Sequence, residues 1–568
     1  MDVDIITGAA VNEAMSGRGD ISGNISKPKR TRAAGTAAAP TPKSKRTFGR
    51  SLAEFPDLSP AEKKFVACVV RGEPCVLGEA RAEAATEENS IRATLIRFLA
   101  LGGDEDSPVH EHGIDLRGAW ISDTLDLRNC TVSGDLAFFN CHFAKQILAS
   151  YAYLLGLDLG GCKIHGLLAD GLQVAGYVLL RRGFQSFGEV RMLGIHIGGS
   201  LNCTDGHFDN PRGYALMIER ARIDGAVFLS KGFQARGKVA LNGAHIEDNL
   251  YCGGGRFENE DEDALTASGL KLAGSFWFSK VSSFIGGLNL DGAHVASLRD
   301  DTESWPNGAL RLDGFRYDRF SGQTGPTDAE HRIAWLRMQI ADNLYGEHFK
   351  PQPWEQLIKV LREMGHPLEA AKVAIEKQRM LRKAGKIGNA RNPLHMPQLA
   401  LHHLYGWLTG FGYRPLRAVL WMFAFWLLGA IYYQDAASSG LLAPTNAMVI
   451  ANHSARDNPR AVRPGAQQCG IRGEVTQVAQ YWPRCAQLPS EYTSFSPWIY
   501  SADLILPLVN LQQESDWAPV TSYVDVQGHS HGLWGGIVAR WLVWFEIGLG
   551  WVVSLLLVAI LGKFVEKD

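Results

Sequence analysis

From about Gly113 to Phe320 the chain alternates apolar and polar residues in short segments separated by Gly, Asp or Asn, and the pattern returns every 49 residues. The triplets Val178-Leu179-Leu180, Val227-Phe228-Leu229 and Phe276-Trp277-Phe278 stand at that interval. So do Val190, Val239 and Leu288, and the set Ile197, Ile246 and Val295. Period-two alternation in pieces this short predicts β-strands. A fixed long period predicts a solenoid, whose units bury their apolar faces by stacking on one another. Each unit reads as two coils of roughly 24 residues, every coil climbing about 4.8 Å by parallel strand pairing. The regularity lapses at Arg299–Asn307 and returns at Leu310. The class expected is mainly β, a parallel β-helix over residues 111–320, right-handed by analogy with known β-helices.

The flanks read as helical. Ser59-Pro60-Ala61-Glu62 is a capping box with proline at the first helical position, opening a helix to about Arg71. A second helix, about Ser90 to Leu101, stops at Gly102-Gly103. An open solenoid end needs covering, so residues 51–110 are expected to form an N-terminal helical cap. In residues 321–400, Thr327-Asp328-Ala329-Glu330 leads a helix carrying Ile333, Trp335, Met338 and Leu344. Pro353 opens another through Met364, and Pro367 a third to about Ala384. Trp354, Leu357, Ala370, Ala371 and Ala374 make these two resemble one tetratricopeptide-type hairpin. Residues 1–50, with basic runs at Lys27–Arg32 and Lys43–Arg46, are expected to be a disordered tail and lack the apolar core of a signal peptide.

After residue 400 the hydropathy changes. Pro415–Tyr433 and Trp541–Leu561 are nearly unbroken apolar runs, close to the roughly 20 residues that span a bilayer. Residues 401–433 read as an interfacial helix and first span, 434–536 as an extracytosolic loop, and 537–568 as the second span and tail. Trp498–Leu511 is apolar but too short to cross, which predicts a half-buried helix. Cations from Lys372 to Arg417 crowd the first span's N-terminal side, which places both termini in the cytosol. The loop cysteines Cys469 and Cys485 are expected to pair on the oxidising side, closing a loop whose cross-link contributes about 3 kcal/mol.

Composition refines this little. A net charge of −2 and a sequence pI of about 6.8 give no case for a nucleic-acid binder. Seven of the nine cysteines precede the spans, without a CxxC pair, mostly at inward repeat positions where thiols act as small apolar fillers. His196, His245 and His294 share the 49-residue interval and form a candidate binding stripe. Two coils, about 10 Å, separate neighbours, too far for one metal ion whose ligands stand within about 2.1 Å. The plainer account is an outward position copied through duplication. Glu546, inside the second span, is a functional candidate facing a pore lining or a buried partner, unless it lies near enough the surface to reach water. Tyr500, Asp503 and Pro507 of the short apolar helix are candidates beside it. No GxGxxG, Walker loop, HExxH or GxSxG occurs, so no catalytic, cofactor or metal residues are assigned.

Three stretches together resemble a family of bacterial membrane-anchored β-solenoid proteins related to pentapeptide-repeat proteins. They are Glu73-Pro74-Cys75 with Ile91–Gly103 and Gly113–Ile121; Pro351–Lys377 with Gly410–Arg417; and Tyr500–Asp516, which contains Tyr-Ser-x-Asp-x-x-x-Pro. The resemblance implies a bacterial inner membrane. Members are often labelled membrane-associated oxidoreductases, although no cofactor site accompanies that label here. Strict pentapeptide spacing is not kept, so inferences from DNA-mimicking relatives do not carry over. The function expected is a cytosolic solenoid that binds or senses, coupled to a membrane pair that anchors or forms an oligomeric pore. Its partners are then the bilayer and a protein or further copies of the chain. The alternative is a membrane-associated enzyme, oxidoreductase or carbohydrate-active, working on the solenoid face.

Overall fold

In a computed structural model the alternating stretch is a parallel β-solenoid of about nine turns. The structure describes residues 51–321, 326–387, 395–446, 469–472, 480–485, 492–524 and 527–565, with Val449 and Leu488. The basic N-terminal runs lie outside the described residues.

Registered partners place Leu136, Leu157, Val178, Leu201, Val227, Leu250, Phe276, Leu298 and Phe320 in one inward column. Leu201 and Val227 are 26 residues apart and Val227 and Leu250 are 23, which is why the sequence repeats every 49 and not every coil. The longer coils carry register shifts, at Asp209–Tyr214 and at Glu258–Asp263. Parallel pairing keeps like residues over like, so Phe184, Phe208, Phe233, Phe257 and Phe284 form an internal ladder with ring centroids 5.3 to 5.6 Å apart. Each such side chain contributes about 1.5–3 kcal/mol by burial, and each ring pair about 0.5–1.5 kcal/mol more. Cys203 and Cys252 fill the same interior, and burial pushes their thiols well up.

Both ends of the stack are tied to helices. Ser59 and Glu62 satisfy both halves of the capping box for α1 (Pro60–Arg71). Glu62 also takes a bidentate Arg92 pair at 2.7 Å. Ser90 and Ile91 do not open α2 (Ala93–Ala100); they pair as a strand with Trp120 and Ile121 of the first coil. At the far end α3 (Ala329–Leu336), capped by Asp328, stops before Met338. The edge of the solenoid competes for that backbone: Gly308 N–H donates to Met338 O at 2.8 Å and Gln339 bridges Leu310. Leu344 therefore sits in a separate turn, α4 (Ala341–Leu344). Beyond it, α5 (Gln352–Glu363) lays Gln352 and Gln356 over the last coil, donating to Phe315 O at 3.1 Å and Tyr317 O at 2.7 Å. α6 (Pro367–Lys383) packs on α5, and α3 is locked to the coils by Arg332, whose guanidinium grips Asp300 at 2.7 and 2.9 Å.

The remaining helices are α7 (His395–Thr409), α8 (Pro415–Ser438), α9 (Pro497–Ile505), α10 (Gln513–Asp516) and α11 (Trp534–Val565). Two of them are long and apolar enough to cross a membrane: α8 with 24 residues, and the 27-residue stretch Trp534–Ile560 of α11. Only 22% and 28% of their most apolar windows are buried, so most of that apolar surface is left uncovered. Both exceed the sequence-based bounds. The polar Gln434 and Asp435 marked the expected end of the first and Arg540 the expected start of the second. Helical hydrogen bonding carries through both, and Arg540 turns its guanidinium to Pro519 O at 2.8 Å.

Candidate functional site

Parallel register turns the histidine stripe into a mixed ladder. His196, Arg222, His245, Lys271, His294 and Arg316 are successive outward partners, so the histidines stand two coils apart with a permanent cation between each pair. His196 faces Asp224 and His294 faces Asp318, each at 3.4 Å, while His245 Nδ1 lies 3.2 Å from Gly243 O. No group of three or more metal-ligating side chains occurs among the described residues. The ladder is a solvent-exposed surface on which Asp224 answers His196 and Arg222, and Asp318 answers His294.

A different column borders a cleft. Outward from the leucine column, Asn202, Phe228, Tyr251, Trp277 and Arg299 are registered partners. Phe228 and Tyr251 stack at 4.9 Å with planes 6° apart, Trp277 follows at 5.0 Å, and the Arg299 guanidinium closes the stack 4.0 Å from the indole centroid. This stack floors a cleft of about 1020 Å³. Its rim is the corner column Arg182, Lys231 and Lys280, again at the 49-residue interval, with Asp205 and Gly254 in the alternate coils. All three cations sit at left-handed φ, 58°, 49° and 55°, a conformation that costs a non-glycine residue about 1 kcal/mol or more. Glycine holds the same corner at Gly254 without that cost. None of the three rim cations forms an ion pair with a described residue. Arg181, below them, reaches Asp158 at 3.7 Å and leaves its Nε buried without a partner. Burial holds the Asp158 carboxyl above its usual range against the pull of Gly160 N–H and the two arginines. The signal was present in the sequence, because these cations share the repeat period.

In the apolar part, α9 packs between α8 and α11, and the three meet at Glu546. Its carboxylate is fully buried, accepting from Tyr433 Oη at 3.1 Å and Ser501 Oγ at 3.0 Å. Ser501 Oγ also lies 3.0 Å from Trp426 O. Gly429 makes room for the group, since a Cβ there would collide with Glu546 Oε1. Because α11 begins at Trp534, Glu546 lies near the middle of the apolar stretch, not close to its end. Tyr500 and Asp503 are buried on α9 beside it. Tyr500 Oη lies 3.4 Å from Trp517 O, and Asp503 accepts from Leu511 N at 2.6 Å and Glu514 N at 2.8 Å. Asp503 thus fastens the turn through Pro507 that leads to α10. Cys469 and Cys485 stand at disulfide distance with Cα atoms 5.8 Å apart. Compared with protein-family models, curated proteins and solved structures, the chain matches none.

Proposed function

We propose that this chain is a two-span protein of a bacterial inner membrane that holds its solenoid in the cytosol as a scaffold for an extended acidic partner, in keeping with its resemblance to membrane-anchored solenoid proteins. One observation carries the binding reading: Arg182, Lys231 and Lys280 rim one cleft at two-coil spacing, in a strained backbone conformation, none in an ion pair with a described residue and with Asp205 as the single carboxylate among the described lining residues. An acidic polypeptide segment suits the floor as well as the rim. Aromatic rings are positive at their edges and negative on their faces; Phe228 and Tyr251 turn their faces to each other, and Arg299 covers a face of Trp277, which is tilted 58° from Tyr251. Carboxylates gain from edges. Nucleobases, which need open faces, find no platform.

The apolar helices support the anchor. Their uncovered surfaces suit lipid, and the cations from Lys372 to Arg417 lie on one side of α8. Within the pair, Glu546 has both oxygens engaged by its own chain, which favours an internal tie over a pore lining. The solenoid's helical ends, α1 and α2 at one and α3 to α6 at the other, then act as caps, the second also as the coupling to the membrane.

The test uses the full-length protein in mild detergent with fluorescent poly-glutamate, and poly-lysine as control. Poly-glutamate binding should weaken steeply with salt, and the triple variant Arg182→Gln, Lys231→Gln, Lys280→Gln should weaken it by roughly 10–100-fold. Equal binding of the two polymers, or an unaltered triple variant, refutes the reading.

A further inference from the structure

A second cationic cleft lies between α3, α6, α7 and the start of α8, with a volume of about 450 Å³. Lys372, Arg379 and Arg382 enter it from α6, and Arg414 and Arg417 from the turn that opens α8. Two carboxylates also line it, Glu330 and Glu376. Glu376 is already shared between Arg337 at 2.6 Å and Arg379 at 3.2 Å, and Lys372 is held by Glu369 at 2.8 Å. Arg382, Arg414 and Arg417 form no ion pair with a described residue. Cations thus confront one another across the gap from two separate elements, and like charges so placed repel unless an anion sits between them. The neighbouring imidazole registers this field. Burial lowers His402 below the usual histidine range, and Arg382 and His403 push it the same way.

The turn that shapes the cleft is specific. Gly410, Phe411 and Gly412 all take left-handed φ, 58°, 58° and 84°, which doubles the chain back so that Arg414 N–H donates to Thr409 O at 2.9 Å. Beside the charges, α7 and the start of α8 expose Leu401, Leu404, Trp407 and Leu416. A ligand that fills this place needs an anionic head and apolar tails.

We propose that this cleft binds the headgroup of an anionic phospholipid, so that lipid closes the joint between the helical hairpin and the first span. The proposal rests on α8 and α11 being spans. Free phosphate shares the headgroup chemistry but has nothing for the apolar wall.

Full-length protein is reconstituted in nanodiscs of phosphatidylcholine with 20 per cent phosphatidylglycerol (a composition of about this anionic share mimics a charged leaflet), then released gently and analysed by native mass spectrometry. The wild type should retain phosphatidylglycerol well above its share. The variant Arg382→Gln, Arg414→Gln, Arg417→Gln should lose that preference by about a hundredfold, near fivefold per basic residue. The corresponding triple lysine variant should keep most of it. Retention in proportion to the bilayer composition by the wild type overturns the proposal and needs no variant. Displacement by inorganic phosphate at millimolar concentration, or equal binding of acyl-free glycerophosphoglycerol, shows a phosphate site and overturns the lipid reading. Alkaline carbonate extraction separates the two levels. Release of the protein from vesicles sinks the membrane reading itself, whereas firm retention with no lipid preference sinks only this inference.

Discussion

At the scale of single residues, stability concentrates where charge is buried. Arg332 and Asp300 are each 2% exposed, joined by two hydrogen bonds, with Trp305 Nε1 donating a third to Asp300 at 2.9 Å and the Arg332 guanidinium 3.6 Å from the Phe320 ring centroid. Removing one partner leaves the other charge buried alone. Arg332→Ala should therefore cost about 3–5 kcal/mol, read as a fall in the thermal or denaturant midpoint of the solenoid transition, while exposed Arg128→Ala, whose partner Asp126 is also half in water, should cost about 1 kcal/mol or less. Glu546 invites a different comparison. Glu546→Gln can still accept from Tyr433 and donate to Ser501, whereas Glu546→Leu strands the Tyr433 hydroxyl at about 1–3 kcal/mol and leaves Ser501 its bond to Trp426 O. Gly429→Ala should be strongly destabilising alone and milder in the Glu546→Ala background, because the closest clash is with that carboxylate and only the one with Ser501 Oγ remains. A double-mutant cycle on thermal stability measures the difference, and additive effects would show that the two do not touch.

Among elements, the coil pair is the natural unit, and this can be tested by deletion. Removing residues 202–250 takes out one whole unit and joins Leu201 to Tyr251, which keeps every inward column in step because Leu201, Val227 and Leu250 are registered partners. The shortened chain should fold cooperatively with an unchanged strand signature in circular dichroism, and its solenoid should be about 10 Å shorter in small-angle scattering. Deleting 202–249 shifts the chain by one residue and turns inward side chains outward, so it should not fold. Loss of structure in both deletions would show that the period is not a structural unit. This repeat was legible in the sequence because stacking constrains Val178, Val227 and Phe276 directly. The ends of helices were less so, since they depend on competitors outside the local sequence. Met338 leaves α3 for the edge of the solenoid, and Arg540 stays inside α11 because Pro519 O receives it. The cleft escaped for another reason. Its cations share the repeat, but only coil register sets Arg182, Lys231 and Lys280 beside the Phe228–Tyr251–Trp277 stack.

For the whole molecule, the packing of α8 against α11 sets the topology independently of any charge rule. Tyr432 Oη donates to Gly535 O at 2.9 Å near the end of α8 and the start of α11. At the opposite end, a Cβ on Gly412 would lie 3.7 Å from Ile560, so the two helices run antiparallel. The disulfide segment joins the Tyr432 end, where Arg472 N–H donates to Gly440 O at 3.1 Å. The hairpin and solenoid join the Gly412 end, through α7. If the pair crosses a bilayer, the cysteine pair and the solenoid must face opposite compartments. Thiol chemistry can read this with little background, because the seven free cysteines are buried and Cys75 is pushed up to about 12 by burial, which keeps it protonated and slow to react at pH 8. In intact cells after mild reduction, a membrane-impermeant maleimide should label Cys469 and Cys485. In a His245→Cys variant, whose new thiol stands on the exposed ladder, the solenoid should be labelled only after the membrane is opened. Labelling of both from one side would mean that α8 and α11 lie on the bilayer and do not cross it.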